Sequence, residues 1–124
     1  MFLHIIPLYA AAFGLFYVAL SAYVVAGRYK NRVLLGTGDS DDMLQRVRVH
    51  GNFAEYVPFA LLLLAFAEGQ GTDTVVLHAL CVLLAVSRLA HIAGIRRGKP
   101  NLFRAAGMVG TFTVFTATAL LILI

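Results

Sequence analysis

An all-α membrane protein, built as an up-down bundle of four transmembrane helices, is the fold class that three observations predict. Hydrophobic residues fill 60% of the 124 positions and charged residues only 13%, against roughly 25% charged in an average soluble domain. The apolar residues fall into four runs, each able to cross about 30 Å of hydrocarbon at about 1.5 Å per residue. The connections are short, so consecutive helices must lie side by side and antiparallel. The length leaves room for one domain, residues 1–124, with helices predicted at about 5–29, 42–68, 74–95 and 102–123.

The first helix is the apolar run from Ile5 to Gly27, with Pro7 in its opening turn, where a missing N–H does least harm. It is too long for a cleaved signal peptide, and its basic residues follow rather than precede it. The next segment carries Asp39, Ser40, Asp41 and Asp42. Such a cluster caps a helix and complements its N-terminal dipole more readily than it binds a metal. In the second helix the uninterrupted apolar part, Val57 to Ala67, is too short to cross a bilayer alone. The span must therefore begin near Arg48, which draws Asn52 and Glu55 into the membrane. Pro58 removes one helix hydrogen bond and predicts a kink just after Glu55. The third helix holds Arg88 and His91 one turn apart, and a basic turn ending at Pro100 closes it. The fourth begins near Leu102, carries Arg104 in its first turn and runs apolar to Ile124.

Nine of the ten Lys and Arg residues lie in or beside the first and third loops, whereas the second loop carries only Glu68 and Asp73. The positive-inside rule then predicts loops one and three in the cytoplasm and both termini outside it. A sequence pI near 9.6 would suggest nucleic acid in a soluble protein. Basic residues beside apolar runs point instead to a membrane face and membrane lipids, with no nucleic-acid partner. Cys81 is the single cysteine, which excludes an internal disulfide and reads as a small packing residue.

The chemistry converges on the second and third helices. Arg48, Asn52, Glu55 and Tyr56 fall at helical spacing and share one face. Glu55 lies about 10 Å and Arg88 about 12 Å below the same surface on adjacent antiparallel helices. A lone charge at mid-bilayer costs at least about 2.5–3.5 kcal/mol, so the two are expected to pair. Such a pair can serve register alone. The surplus of arginines, with Arg28 and Arg104 at the mouth, points further, to an anionic, hydrogen-bonding ligand. Among the histidines only His91 belongs to this site. His4 and His78 fall toward the other face and His50 lies off the polar stripe, so no metal site is expected.

These residues resemble the MAPEG family, the membrane-associated proteins in eicosanoid and glutathione metabolism. The resemblance rests on Arg48, Asn52, Glu55, Tyr56 and Pro58 in the second helix, on Arg88 and His91 in the third and on Arg104 in the fourth. It covers essentially the whole chain and is greatest to the small bacterial members, which implies a bacterial inner membrane. It also implies a homotrimer with three sites between adjacent subunits, opening to the cytoplasm. Glutathione would be the co-substrate, added to a small lipophilic electrophile or used to reduce a hydroperoxide. By this resemblance Arg104 is the catalytic residue that stabilises the thiolate, while Arg28, Arg48, Asn52, Glu55, Arg88 and His91 bind glutathione. Two positions depart from the pattern: Ile95 replaces a tyrosine common in glutathione-using members, and Met108 replaces a polar or aromatic residue. They favour an alternative, a non-catalytic lipid- or thiol-binding protein of the same fold. A transporter would need further intramembrane charges toward the opposite face, and the sequence has no such set.

The predicted orientation has a direct readout. Alkaline phosphatase fused after Ile124 is expected to be active, and the same enzyme inserted in the first or third loop inactive. The reverse pattern would invert the topology.

Overall fold

Four apolar runs closed by capping residues and broken by glycines fold into four helices. The computed structural model describes residues 3–124, which form α1 (Ile6–Asn31), α2 (Asp41–Gly69), α3 (Thr74–Arg96) and α4 (Leu102–Leu123). All four are long and apolar enough to cross a membrane, and no strand occurs among the described residues. The chain is an integral, all-α membrane protein. α2 continues through Pro58 as a single helix.

Each helix start is satisfied by a side chain. The Ser40 hydroxyl accepts from the Met43 amide at 3.1 Å, Asp73 from Val75 at 2.9 Å, and Asn101 from Arg104 at 3.0 Å. These bonds occupy amides that have no partner within the helix. α1 has no side-chain cap of its own. The carboxylate of Glu68, at the far end of α2, takes that role. It accepts from the amides of Ile5 and Ile6 at 2.8 Å each and from that of His4. A negative charge on a helix N-terminus is favourable, so this contact ties α1 to α2 at the end of the bundle away from the basic loops. At the other end α1 stops with Arg32 in the left-handed region, φ 55°. Arg28 then folds the loop back by donating to the carbonyls of Gly36 at 2.9 Å and Val33 at 3.3 Å.

The buried positions show how the helices lie. On α1 they are Ile6, Phe13, Leu20 and Gly27, a strict seven-residue repeat that gives a narrow seam along a shallowly crossing partner. That partner is α2, which packs on each of the other three helices, whereas α1 and α4 do not meet. α3 buries Leu77, Leu80, Cys81, Leu84, Ser87, Arg88, His91, Gly94 and Ile95, a stripe of helical period.

α3 and α4 form the most extensive interface, and small residues are the reason. A Cβ on Gly94 would lie 2.3 Å from the Arg104 backbone nitrogen, and one on Gly107 would lie 2.6 Å from the backbone of Ser87 and His91. Close backbone approach through small residues is the usual source of helix association in lipid, where no hydrophobic effect drives it.

At the basic end Asp42 holds three helices. Its carboxylate accepts from Asn31 of α1 at 2.8 Å, Arg46 of α2 at 2.9 Å and Arg96 of α3 at 2.8 Å. The Tyr23 ring lies against both guanidiniums, at 4.2 Å from Arg46 and 5.6 Å from Arg96.

Glycine substitutions separate packing from propensity. Gly94→Ala and Gly107→Ala are each expected to cost about 1–3 kcal/mol through overpacking. Gly14→Ala has nothing within 4 Å and should be neutral or stabilising by up to about 1 kcal/mol. Thermal unfolding in detergent would rank the three.

Candidate functional site

The polar stripe of α2 is broader than one neighbour can cover, and this decides its pairing. At about 100° per residue, Arg48 and Glu55 stand only about 20° apart around the helix, while Asn52 is rotated about 60° from Glu55. Asn52 faces the bundle and is buried, 8% exposed. The side chains of Arg48 and Glu55 are 48% and 54% exposed, with Arg48 Nη1 at 3.5 Å from Glu55 Oε1. Glu55 therefore pairs with Arg48 on its own helix. The Glu55–Arg88 pair expected from matched depth does not form, because depth sets the level of a side chain and not its azimuth.

Arg88 is instead held by neutral groups. It is 2% exposed and donates through Nη1 to Asn52 Oδ1. Through Nη2 it donates to Thr111 Oγ1 at 2.8 Å and to Met108 Sδ at 3.6 Å. The Tyr56 ring centroid lies 5.7 Å from its guanidinium carbon. A guanidinium offers five donors in a fixed fork, so one side chain links α2, α3 and α4. Thr111 also donates to the Gly107 carbonyl at 2.8 Å, which leaves its oxygen lone pairs for Arg88. His91, 3% exposed, sits one turn along α3 against Gly107.

Closer to the basic loops, α2, α3 and α4 bound a cleft of about 500 Å³ lined by Asp41, Leu44, Gln45, Arg48, Ile95, Gly98 and Arg104. It brings together Arg48 and Arg104 from distant parts of the sequence. Asn101 caps α4, and the close contact at Gly94 sets the Arg104 backbone against α3. Ile95 contributes an apolar wall. Arg28 lies elsewhere, in a separate recess with Tyr29, Arg32 and Val33, and does not join Arg48 and Arg104 within one chain.

The remaining histidines are dispersed. His50 Nε2 is 3.0 Å from Ser21 Oγ, with the Tyr17 ring stacked on it at 4.9 Å. His78 Nδ1 meets the Tyr9 hydroxyl at 2.8 Å.

A second cavity, about 320 Å³, lies between α1 and α3 and is lined by Tyr9, Ala12, Phe13, Phe16, Ala85, Arg88 and Leu89. Arg88 is thus a wall between an apolar cavity and a polar cluster.

Sequence reasoning missed Asp41, Gln45 and Thr111. Asp41 and Gln45 precede Arg48 by seven and three residues, helical spacings that place them beside it. Thr111 follows Arg104 by seven, the same signal on α4.

The family model for the MAPEG family matches residues 6–124. The chain belongs to the MAPEG family. The "Inner membrane protein YecN" of Escherichia coli K12 is 35% identical over 107 residues, covering 85% of this chain and 79% of that protein. The protein of the same name from Escherichia coli O6:H1 matches to the same extent. No solved structure gives a significant match. Membership in MAPEG brings this chain into a family that includes glutathione transferases and peroxidases, and the four-helix architecture agrees with the sequence-based expectation.

The Arg88 cluster makes an asymmetric prediction. Asn52→Leu strips a buried cation of one acceptor and is expected to destabilise by about 1–3 kcal/mol. Adding Arg88→Met removes the charge that needs the acceptor, so the double variant should recover part of the loss. Unfolding in detergent across the four-member cycle measures the coupling.

Proposed function

We propose that this MAPEG protein binds glutathione in the α2–α3–α4 cleft and presents its thiolate to a lipophilic electrophile or hydroperoxide. The observation that carries the reading is the convergence of Arg48 and Arg104 on one cleft of about 500 Å³. That volume is within the usual range for small-molecule sites.

The donor set fits the ligand. Glutathione supplies a nucleophilic thiol on a peptide with two carboxylates, one ammonium and a net charge near −1. Arg48 is placed to hold a carboxylate in bidentate fashion. Arg104 holds the sulfur as thiolate: a thiol of free pKa about 8.5 ionises more readily beside a guanidinium. Asn52 and Arg88 act from behind, with the Arg88 cluster fixing the relative positions of α2 and α4. His91 supports the same wall. Glu55, beside Arg48 on the same helix, accepts from a peptide N–H of the ligand. The lipophilic partner reaches the sulfur along the lipid-facing groove between adjacent subunits, where such molecules already partition.

The half-exposed Arg48–Glu55 pair bears on assembly. Charges that face lipid inside a span are costly, so this face calls for protein cover. A homotrimer with sites between adjacent subunits, as the family resemblance implies, supplies that cover. It also allows Arg28 to reach a site from a neighbouring copy. Charge placement supports a cytoplasmic position for the basic loops and the mouth of the cleft, and the name of the relative supports a bacterial inner membrane.

A specific observation favours a second reading, a non-catalytic thiol- or lipid-binding protein. Ile95 gives the cleft an apolar wall, and Met108 meets Arg88 with a thioether where a stronger hydrogen-bonding group could stand.

One experiment distinguishes the two. The purified protein in detergent should give a trimer on cross-linking, bind glutathione and show thiolate absorbance in the ultraviolet. Turnover of a model aryl halide should follow, and Arg104→Ala should lower it about 10²–10³-fold, as for removal of one anion-stabilising donor, with smaller loss of binding. Binding without thiolate or turnover would establish the second reading. No binding at all would overturn both glutathione-based readings.

A further inference from the structure

Some of the charges at the basic end of the bundle are consumed in pairs. Asp42 holds Arg46 and Arg96, and Glu55 holds Arg48 at a loose 3.5 Å. Two of the others share one place. Asp41 and Arg104 both line the α2–α3–α4 cleft. Neither side chain takes part in any ion pair or side-chain hydrogen bond among the described residues. Opposite charges that share a cleft without joining present one charge of each sign to whatever enters.

Local structure uses Asp41 only as a charge in the first turn of α2, with no hydrogen bond to its side chain among the described residues. The α2 N-terminus is already capped by the Ser40 hydroxyl, and Asp42, one residue on, makes the contacts to α1 and α3. Seven residues separate Asp41 from Arg48 and three separate Gln45 from Arg48, so all three project from neighbouring positions on one side of α2. Arg104 faces them from α4. The cleft thus offers two cations, one carboxylate, an amide and the apolar wall of Ile95.

We infer that Asp41 is the ammonium anchor of this cleft, so that it selects thiol peptides whose amino group is free and protonated. The inference rests on the glutathione reading and adds a specificity residue to it. A γ-glutamyl end carries an ammonium beside a carboxylate on one carbon. Asp41 accepts from that ammonium, and a cleft arginine holds the carboxylate next to it. Placing the peptide's amino end at Asp41, near the mouth, leaves the thiol to lie deeper in the cleft. A wholly cationic cleft would bind any dianion. The added carboxylate discriminates by charge pattern, which costs an acylated amine its partner and leaves Asp41 unpaired against it.

The test is binding by calorimetry in detergent, using glutathione and glutathione acetylated on its amino group. The unmodified protein is expected to prefer glutathione by about fivefold, the scale of one partly solvated charge pair. Asp41→Asn should bind the two peptides equally, losing affinity for glutathione alone. Asp39→Asn, the same charge change at an exposed position outside the cleft, should keep the preference. Arg104→Gln should weaken both peptides together. A preference that survives Asp41→Asn, or that vanishes in Glu55→Gln instead, would overturn the assignment while leaving glutathione binding intact. If neither peptide binds the unmodified protein, the glutathione reading fails and the anchor with it. A thermal melt of Asp41→Asn equal to that of the unmodified protein shows that the loss is not one of folding.

Discussion

A guanidinium inside a membrane span must be surrounded by acceptors or returned to water, and Arg88 is placed so that only the first is open to it. The free-energy cost of the bare charge, several kcal/mol by any scale, exceeds the roughly 1 kcal/mol that a single hydrogen bond contributes. Several partners are therefore required, and they must come from different helices, since one helix presents too few polar groups at one depth. Asn52 supplies one from α2, and Thr111 and Met108 supply two from α4. The relative placement of three helices follows from supplying acceptors to the two terminal nitrogens of one side chain, whose Nε is left without a partner among the described residues. Gly107 makes this possible, because α4 could not bring Thr111 so near if a Cβ stood at the contact with Ser87 and His91.

The same economy of charge shapes the basic end. A single carboxylate, Asp42, binds Asn31, Arg46 and Arg96 and thereby joins three helices. Tyr23 adds its ring to both guanidiniums. With those arginines engaged in structure, Arg48 and Arg104 carry the field of the cleft. Charges that tie helices and charges that line the cleft are thus segregated within one turn of α2: Asp42 points into the bundle and Asp41 toward the cleft. Electropositive character in the cleft is the remainder after the structural pairs are drawn.

Much of the fold was legible because it depends on local properties. Apolar runs of membrane length, the capping cluster around Ser40 and the four-helix count could all be read along the chain, whereas the caps at Asp73 and Asn101 emerged with the structure. The candidate site was legible only in part. Arg48 and Arg104 do share a cleft, and Asn52 does meet Arg88. Glu55 was assigned to Arg88 on depth, yet its position around α2 turns it to Arg48. Arg28 was assigned to the mouth, yet it is engaged with the carbonyls of the first loop. Thr111 carried only its seven-residue spacing from Arg104, which did not single it out among the threonines of α4, since its role depends on α3 lying against it.

The chain by itself therefore determined which segments enter the membrane, how many there are and which residues are too polar to be there without cause. Those properties follow from transfer free energies and helical period, which act residue by residue. Tertiary structure alone decided which polar residues meet. Pairing depends on the rotation of each helix about its axis, and that rotation is set by small-residue contacts such as Gly94 with Arg104 and Gly107 with His91. A helix turned by about 60° exchanges Asn52 for Glu55 at the α3 interface, and no property of α2 taken alone distinguishes the two.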